Sequence, residues 1–181
     1  MSCTLNSPTA ERRAPTSPGR RRVVLALACS PLAGLAATDP LAGLQRWGSG
    51  EFRRFGFLVY EAALWAGDDP QRPPLALRLT YKRDIEGRAI AEASVREIRA
   101  LGVVDENQLK RWGELMGRLF PDVREGDSIL GLYLPEGARF LLNGRLLGGV
   151  DDPVFARAFF GIWLDVRTSA PELRAALLRR G

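Results

Sequence analysis

The segment from Ser128 to Leu164 constrains this chain most, because it packs three short apolar runs and a helix start into one stretch. Ile129, Leu132 and Leu134 make the first run apolar, and Pro135-Glu136-Gly137 turns it. Asn143-Gly144 follows the second run and is a strong hairpin signal, since both central positions of a type I′ turn need positive φ. The third run, Arg145–Val150, ends at Asp151-Asp152-Pro153: an aspartate at the N-cap and proline at the first helical position. Phe155, Phe159, Ile162 and Trp163 then recur at helical spacing on one face. The stretch predicts an antiparallel meander feeding a helix able to cover it.

The rest of the chain supplies partners for that sheet. Phe52–Ala66 is apolar on both alternating sets and predicts one long strand covered on both sides. Leu75, Leu77, Leu79 and Tyr81 alternate with Ala76, Arg78, Thr80 and Lys82, the pattern of a half-buried strand. A helix opens at Asp84 or Glu86 and runs to Leu101, with Ile90, Ser94, Ile98 and Leu101 inward and Gly102 as its stop. Asp105 and Gln108 suit a capping box for a second helix with Leu109, Trp112, Met116 and Leu119 on its buried stripe, closed by Pro121. Ser169-Ala170-Pro171-Glu172 starts a last short helix. The order β-β-α-α-β-β-β-α-α predicts an α+β fold, helices stacked on one antiparallel sheet.

Ahead of this domain, residues 1–22 are polar and end in Arg20-Arg21-Arg22; Val23–Ala36 is apolar, and Gly34-Leu35-Ala36-Ala37 is small. That is the pattern of a secretory signal, of Sec or twin-arginine type, cleaved near Ala36/Ala37. The expected organisation is therefore a signal peptide over 1–37 and one domain over 38–181, periplasmic or secreted. The plainer alternative is a tail with a chance apolar patch. Ala26-Leu27-Ala28-Cys29 is similar to a lipoprotein box, though Leu27 fits it poorly and the apolar run before Cys29 is short. The leader also explains the charge. It holds five arginines and one glutamate, which leaves 21 basic and 20 acidic side chains in the remainder, so the formal +5 is no argument for nucleic-acid binding.

The inventory of reactive groups narrows the chemistry. The chain has no histidine, which removes Ser-His-Asp and Cys-His sites and His-ligated zinc; both cysteines, Cys3 and Cys29, fall in or before the leader. No metal and no cofactor are expected. Gly48-Ser49-Gly50 enters a strand and lacks a third glycine, so it is no dinucleotide fingerprint. Asp151-Asp152 is explained by helix capping. Two features resist so simple an account. Tyr60 stands mid-strand among large apolar residues, and Arg53 and Arg54 lie at the entry of the same strand. An arginine and a tyrosine at one end of an apolar cavity clamp a carboxylate with charge-assisted hydrogen bonds. An exposed arginine pair and a core tyrosine bonded to backbone is the reading with fewer requirements.

Together the segments GSGEFRRFGFLVYEAALW, LTYKRDIEGRAIAEASVREIRALG, FPDVREGDSILGLYLPEGARFLLNGRLLG and FARAFFGIWLDVRTSAPELRAALL resemble the chalcone isomerase family, in particular its bacterial exported branch. The resemblance covers about residues 46–178 and implies an open-faced β-sandwich. In the plant enzymes it implies closure of a flavanone ring; in related plant members, non-catalytic binding of an acyl chain in the same cleft. The enzymes' tyrosine, lysine and asparagine on the first helix fall here at Glu86, Ala89 and Ala93, and their cleft threonines at Tyr60 and near Ile162. Their strand arginine falls on Phe52, with Arg53 one residue on, a shift that exchanges the two faces of a strand.

The resemblance thus favours a binder of an apolar, acidic small molecule such as a fatty acid. Its site residues would be Arg53 and Tyr60, with Arg54 and Glu86 as weaker candidates, and the membrane would serve only as a source of ligand. The alternatives are an intramolecular lyase of chalcone type, with Arg53 as anchor and Tyr60 or Glu86 handling the proton, and a ligand-free interaction module of the cell envelope.

Overall fold

The computed structural model describes residues 39–179; the expected signal peptide and both cysteines lie outside them. Six strands form one antiparallel sheet in chain order: β1 (Gln45–Arg54), β2 (Phe57–Ala66), β3 (Leu75–Tyr81), β4 (Ser128–Leu134), β5 (Gly137–Leu142) and β6 (Arg145–Val150). Helices α1 (Gly87–Leu101) and α2 (Glu106–Leu119) are inserted between β3 and β4, and α3 (Pro153–Leu164) and α4 (Pro171–Leu177) follow β6. The fold is α+β, an open six-stranded sheet with four helices.

The local signals act as expected where they are strongest. Asn143 and Gly144 have φ of 50° and 83°. Asn143 is further fixed because its side-chain oxygen accepts from the Ser128 amide at 2.8 Å while its amide group donates to Asp127 at 2.8 Å. Asp105 accepts from the Gln108 amide at the start of α2, and Gly102 ends α1 with φ of 65°. Asp152 caps α3 twice, accepting from Val154 and Phe155 at 2.8 and 3.1 Å, and its second oxygen accepts from the indole of Trp112 on α2 at 3.2 Å. One carboxylate thereby starts a helix and ties it to another.

Three expectations are corrected. Phe52–Ala66 is not one strand but the β1–β2 hairpin, turned at Phe55-Gly56 with φ of 50° and 81°. Phenylalanine is a poor residue for the left-handed region, so the turn carries no ordinary sequence signal. Nor is the sheet covered on both faces. On the face away from the helices, Trp65 is flanked by the guanidinium groups of Arg46 and Arg78 at 5.9 and 4.9 Å, so long cationic side chains, not a second layer, cover the apolar surface. Finally, Ser169 does not cap α4: its hydroxyl donates to Glu97 at 2.6 Å, and it is Thr168 that accepts from the Ala170 amide.

The core lies between the sheet and the helix layer. Phe155, Phe159 and Phe160 of α3 meet Trp112, Phe120, Phe140 and Tyr133 in a chain of ring contacts with centroids 5.0–5.9 Å apart. At the sheet's other end α4 lies directly on β1. A β-carbon at Gly48 would overlap the Ala176 carbonyl and come within 2.6 Å of that of Leu177, so the glycines of the WGSG run leave room for a helix, not for a phosphate.

Candidate functional site

The inner face of the sheet and helices α1 and α3 enclose an apolar cavity of about 170 Å³. Its floor is Leu77, Leu79 and Tyr81 of β3 with Ile129, Gly131 and Phe140; its roof is Ala89, Ala93 and Glu97 of α1 with Phe159, Ile162 and Trp163 of α3. The space has a local cause. Ala89 and Ala93, four residues apart on one side of α1, put only methyl groups at the cavity beside Ile90 and Ser94, with Glu97 one turn further on. Gly131 adds no space of its own, since the rings of Phe160 and Phe140 come within 3.1–3.4 Å of where its β-carbon would stand.

The β1–β2 hairpin sets which polar groups reach the cavity. Phe52 pairs with Tyr60 and Arg53 with Leu58, a bulge that leaves Val59 without a partner and turns both Val59 and Tyr60 inward. Along β1, which alternates regularly here, Phe52 and Arg54 face the cavity while Arg53 faces out, where it pairs with Glu51 at 2.8 Å. Of the residues expected at the site, Tyr60 and Arg54 are brought together at the cavity, and Arg53 is not. Glu86 stands at the N-cap of α1, exposed and outside the cavity lining, and its side chain makes no capping bond; the Gly87 amide donates instead to Asp122. Of the positions aligned with the plant cleft, Ala89, Ala93, Tyr60 and Ile162 all line the cavity.

Tyr60, Tyr81 and Phe52 form an aromatic row across three strands. Phe52 stacks on Tyr60 at 4.9 Å, and Tyr81 meets Tyr60 edge-on at 6.1 Å. The Tyr60 hydroxyl accepts from the indole nitrogen of Trp163 at 3.0 Å. Burial pushes the Tyr60 phenol far above its ordinary range; the Trp163 hydrogen bond opposes this and the Glu97 carboxylate adds to it. Burial, with Tyr60 beside it, pushes Tyr81 up as well. Both phenols are held as neutral donors.

The sequence reading missed Tyr81, Trp163 and Glu97. Tyr81 and Trp163 lie on apolar stripes indistinguishable from core, whereas Glu97, one turn past two alanines on an inward stripe, was the legible anomaly. The Tyr81 hydroxyl has no hydrogen-bond partner among the described residues, although the residue is only 3% exposed. The hydroxyl borders the cavity, and no side-chain oxygen of the described residues is both buried and unpartnered, so Tyr81→Phe should leave the stability of the ligand-free protein within about 1 kcal/mol of wild type. Denaturant unfolding checks this; a larger loss of stability would show that the hydroxyl has a structural partner.

Among the described residues no group of three or more His, Cys, Asp or Glu side chains is placed to hold a metal, and no helix is long and apolar enough to cross a membrane. The chain is 31% identical over 142 residues to an uncharacterized protein of Haemophilus influenzae, spanning 77% of this chain and 70% of that protein. Among solved structures it is similar to a fatty-acid binding protein of Arabidopsis thaliana, with a TM-score of 0.59 and 12% identity over 76% of this chain and 87% of that one; at that identity the likeness is one of fold. Residues 43–179 match the family described as chalcone isomerase-like. The chain belongs to the chalcone isomerase-like family.

Proposed function

We propose that this protein is an exported, non-catalytic binder of an apolar, acidic small molecule of the fatty-acid class, from the bacterial exported branch of its family. It works in the cell envelope after cleavage near Ala36/Ala37. The observation that carries the reading is the cavity itself: mostly apolar walls, one guanidinium (Arg54) at its edge, two neutral phenols inside, and Glu97 as the one carboxylate of its lining. An acyl chain gains from burial against such walls, and a carboxylate gains a charge-assisted bond at Arg54. The fold shared with a plant fatty-acid binding protein supports the same class.

Family members include isomerases as well as binders. Against catalysis here stand alanines at two of the aligned helix positions, Glu86 outside the cavity, and a Tyr60 that burial keeps protonated and so unfit as a base near neutral pH.

Native mass spectrometry of the protein purified from the envelope, with organic extraction of what travels with it, tests the reading. A chain starting near residue 38 with an extractable fatty acid is expected. A bare chain that takes up no added fatty acid sinks the binder. Arg54→Ala should weaken fatty-acid binding about tenfold, within the value of a charge-assisted hydrogen bond, while Arg53→Ala leaves it unchanged. Equal affinities for wild type and Arg54→Ala in a calorimetric titration would remove Arg54 from the site.

A further inference from the structure

The β1–β2 turn exposes two aromatic rings where folding has no use for them. Phe55 is 88% exposed and Phe57 66%, and they are the only aromatic residues among the exposed large hydrophobics of the described chain. Phe55 also holds φ of 50°, a conformation that asparagine or glycine adopts with less strain, as Asn143-Gly144 does at another turn of this sheet. The hairpin thus keeps a bulky apolar side chain in solvent at a conformational cost.

The charges beside the rings are cationic. The Arg54 guanidinium lies 5.4 Å from the Phe55 ring and that of Arg83 lies 5.8 Å from Phe57. Neither arginine has a carboxylate partner among the ion pairs of the described residues, whereas the neighbouring Arg53 and Lys82 are paired with Glu51 and Glu61. Aromatic rings flanked by unpaired guanidinium groups match the boundary of an anionic bilayer, where rings enter the acyl region and arginines stay with lipid phosphates. The location gives the feature a purpose, because Arg54 also lines the cavity and the tip stands at its edge.

We propose that Phe55 and Phe57, with Arg54 and Arg83, form a membrane-docking tip that sets the cavity edge against an anionic lipid surface. The use of the tip for ligand transfer rests on the binder reading, but docking is measured without any ligand.

The test is flotation of the protein, as purified from the envelope, with vesicles of phosphatidylcholine alone or mixed with phosphatidylglycerol. A second, local readout is broadening of the Gly56 amide resonance by a spin-labelled lipid, with Gly67 at the opposite end of the sheet as control. Wild type should float with the anionic vesicles, less so at high salt, and Gly56 but not Gly67 should broaden. Phe55→Asn combined with Phe57→Ser should reduce flotation at least tenfold. Phe55→Asn alone should raise the melting temperature, because it supplies the Asn-Gly turn, and so separates loss of docking from loss of folding. Equal flotation of wild type and double variant, or a Gly56 signal that does not broaden, overturns the tip. A wild type that docks but takes up no fatty acid keeps the tip and removes the binder; one that binds fatty acid but does not dock does the reverse.

Discussion

Ala93→Trp should abolish fatty-acid uptake while leaving the fold intact. Ala93 lies on the side of α1 that lines the cavity, which is also walled by Leu79, Tyr81 and Ile129. An indole at this position occupies most of a space of about 170 Å³, so an acyl chain has nowhere to lie. The expected loss is at least a hundredfold, about 2.7 kcal/mol, well beyond the effect of removing the single anchor at Arg54. Stability should move little, since the new ring fills an existing void lined by apolar atoms and forces no close-packed neighbour aside. Titration with a fatty acid, paired with a melting curve, checks both halves. An Ala93→Trp protein that binds as wild type does places the ligand elsewhere and leaves the cavity a packing defect.

Phe155→Ala should produce the largest loss of stability and no direct effect on the cavity. Phe155 is fully buried, meets Trp112 edge-on at 5.4 Å and Phe159 at 5.6 Å, and is not among the cavity-lining residues. It joins α2 to α3 beside the Asp152 cap, so truncation leaves a hole where two helices meet. The expected cost is about 3–5 kcal/mol, a large part of the roughly 5–15 kcal/mol that holds a domain folded. Val154→Ala, one residue earlier and 51% exposed, should cost less than about 0.5 kcal/mol. Chemical denaturation of the two variants side by side decides it: comparable midpoints would mean that the aromatic cluster relaxes around the gap and is no keystone.

These two residues also show how the sequence could and could not be read. Phe155 was legible as core because helical spacing after an Asp-Pro start puts it on the inward stripe. Ala93 is legible only through the family resemblance, since an alanine on a helix carries no sign of what it leaves empty. Tyr60 is legible as an anomaly because a hydroxyl among large apolar side chains needs a partner, and the structure supplies the Trp163 indole, 103 residues away. Arg53 and Arg54 were not separable: strand alternation assigns faces only once the strand's ends and bulges are known, and the Phe55-Gly56 turn gives little warning of either.

By itself the sequence determined the elements whose signals are local: the Asn143-Gly144 hairpin, the Asp152-Pro153 and Asp105 helix starts, the Gly102 stop, and the alternation of β3. Each depends on a backbone conformation or a hydrogen bond within a few residues, and their order was enough for the α+β class. Tertiary structure alone decided what depends on groups far apart in the chain: that α4 rests on Gly48, which face of β1 meets the helices and so that Arg54 is inward and Arg53 outward, and that α1, α3 and the sheet stand off from one another to leave a cavity. A void belongs to no residue. It is fixed by the positions of all the elements around it, and no spacing rule along one of them encodes it.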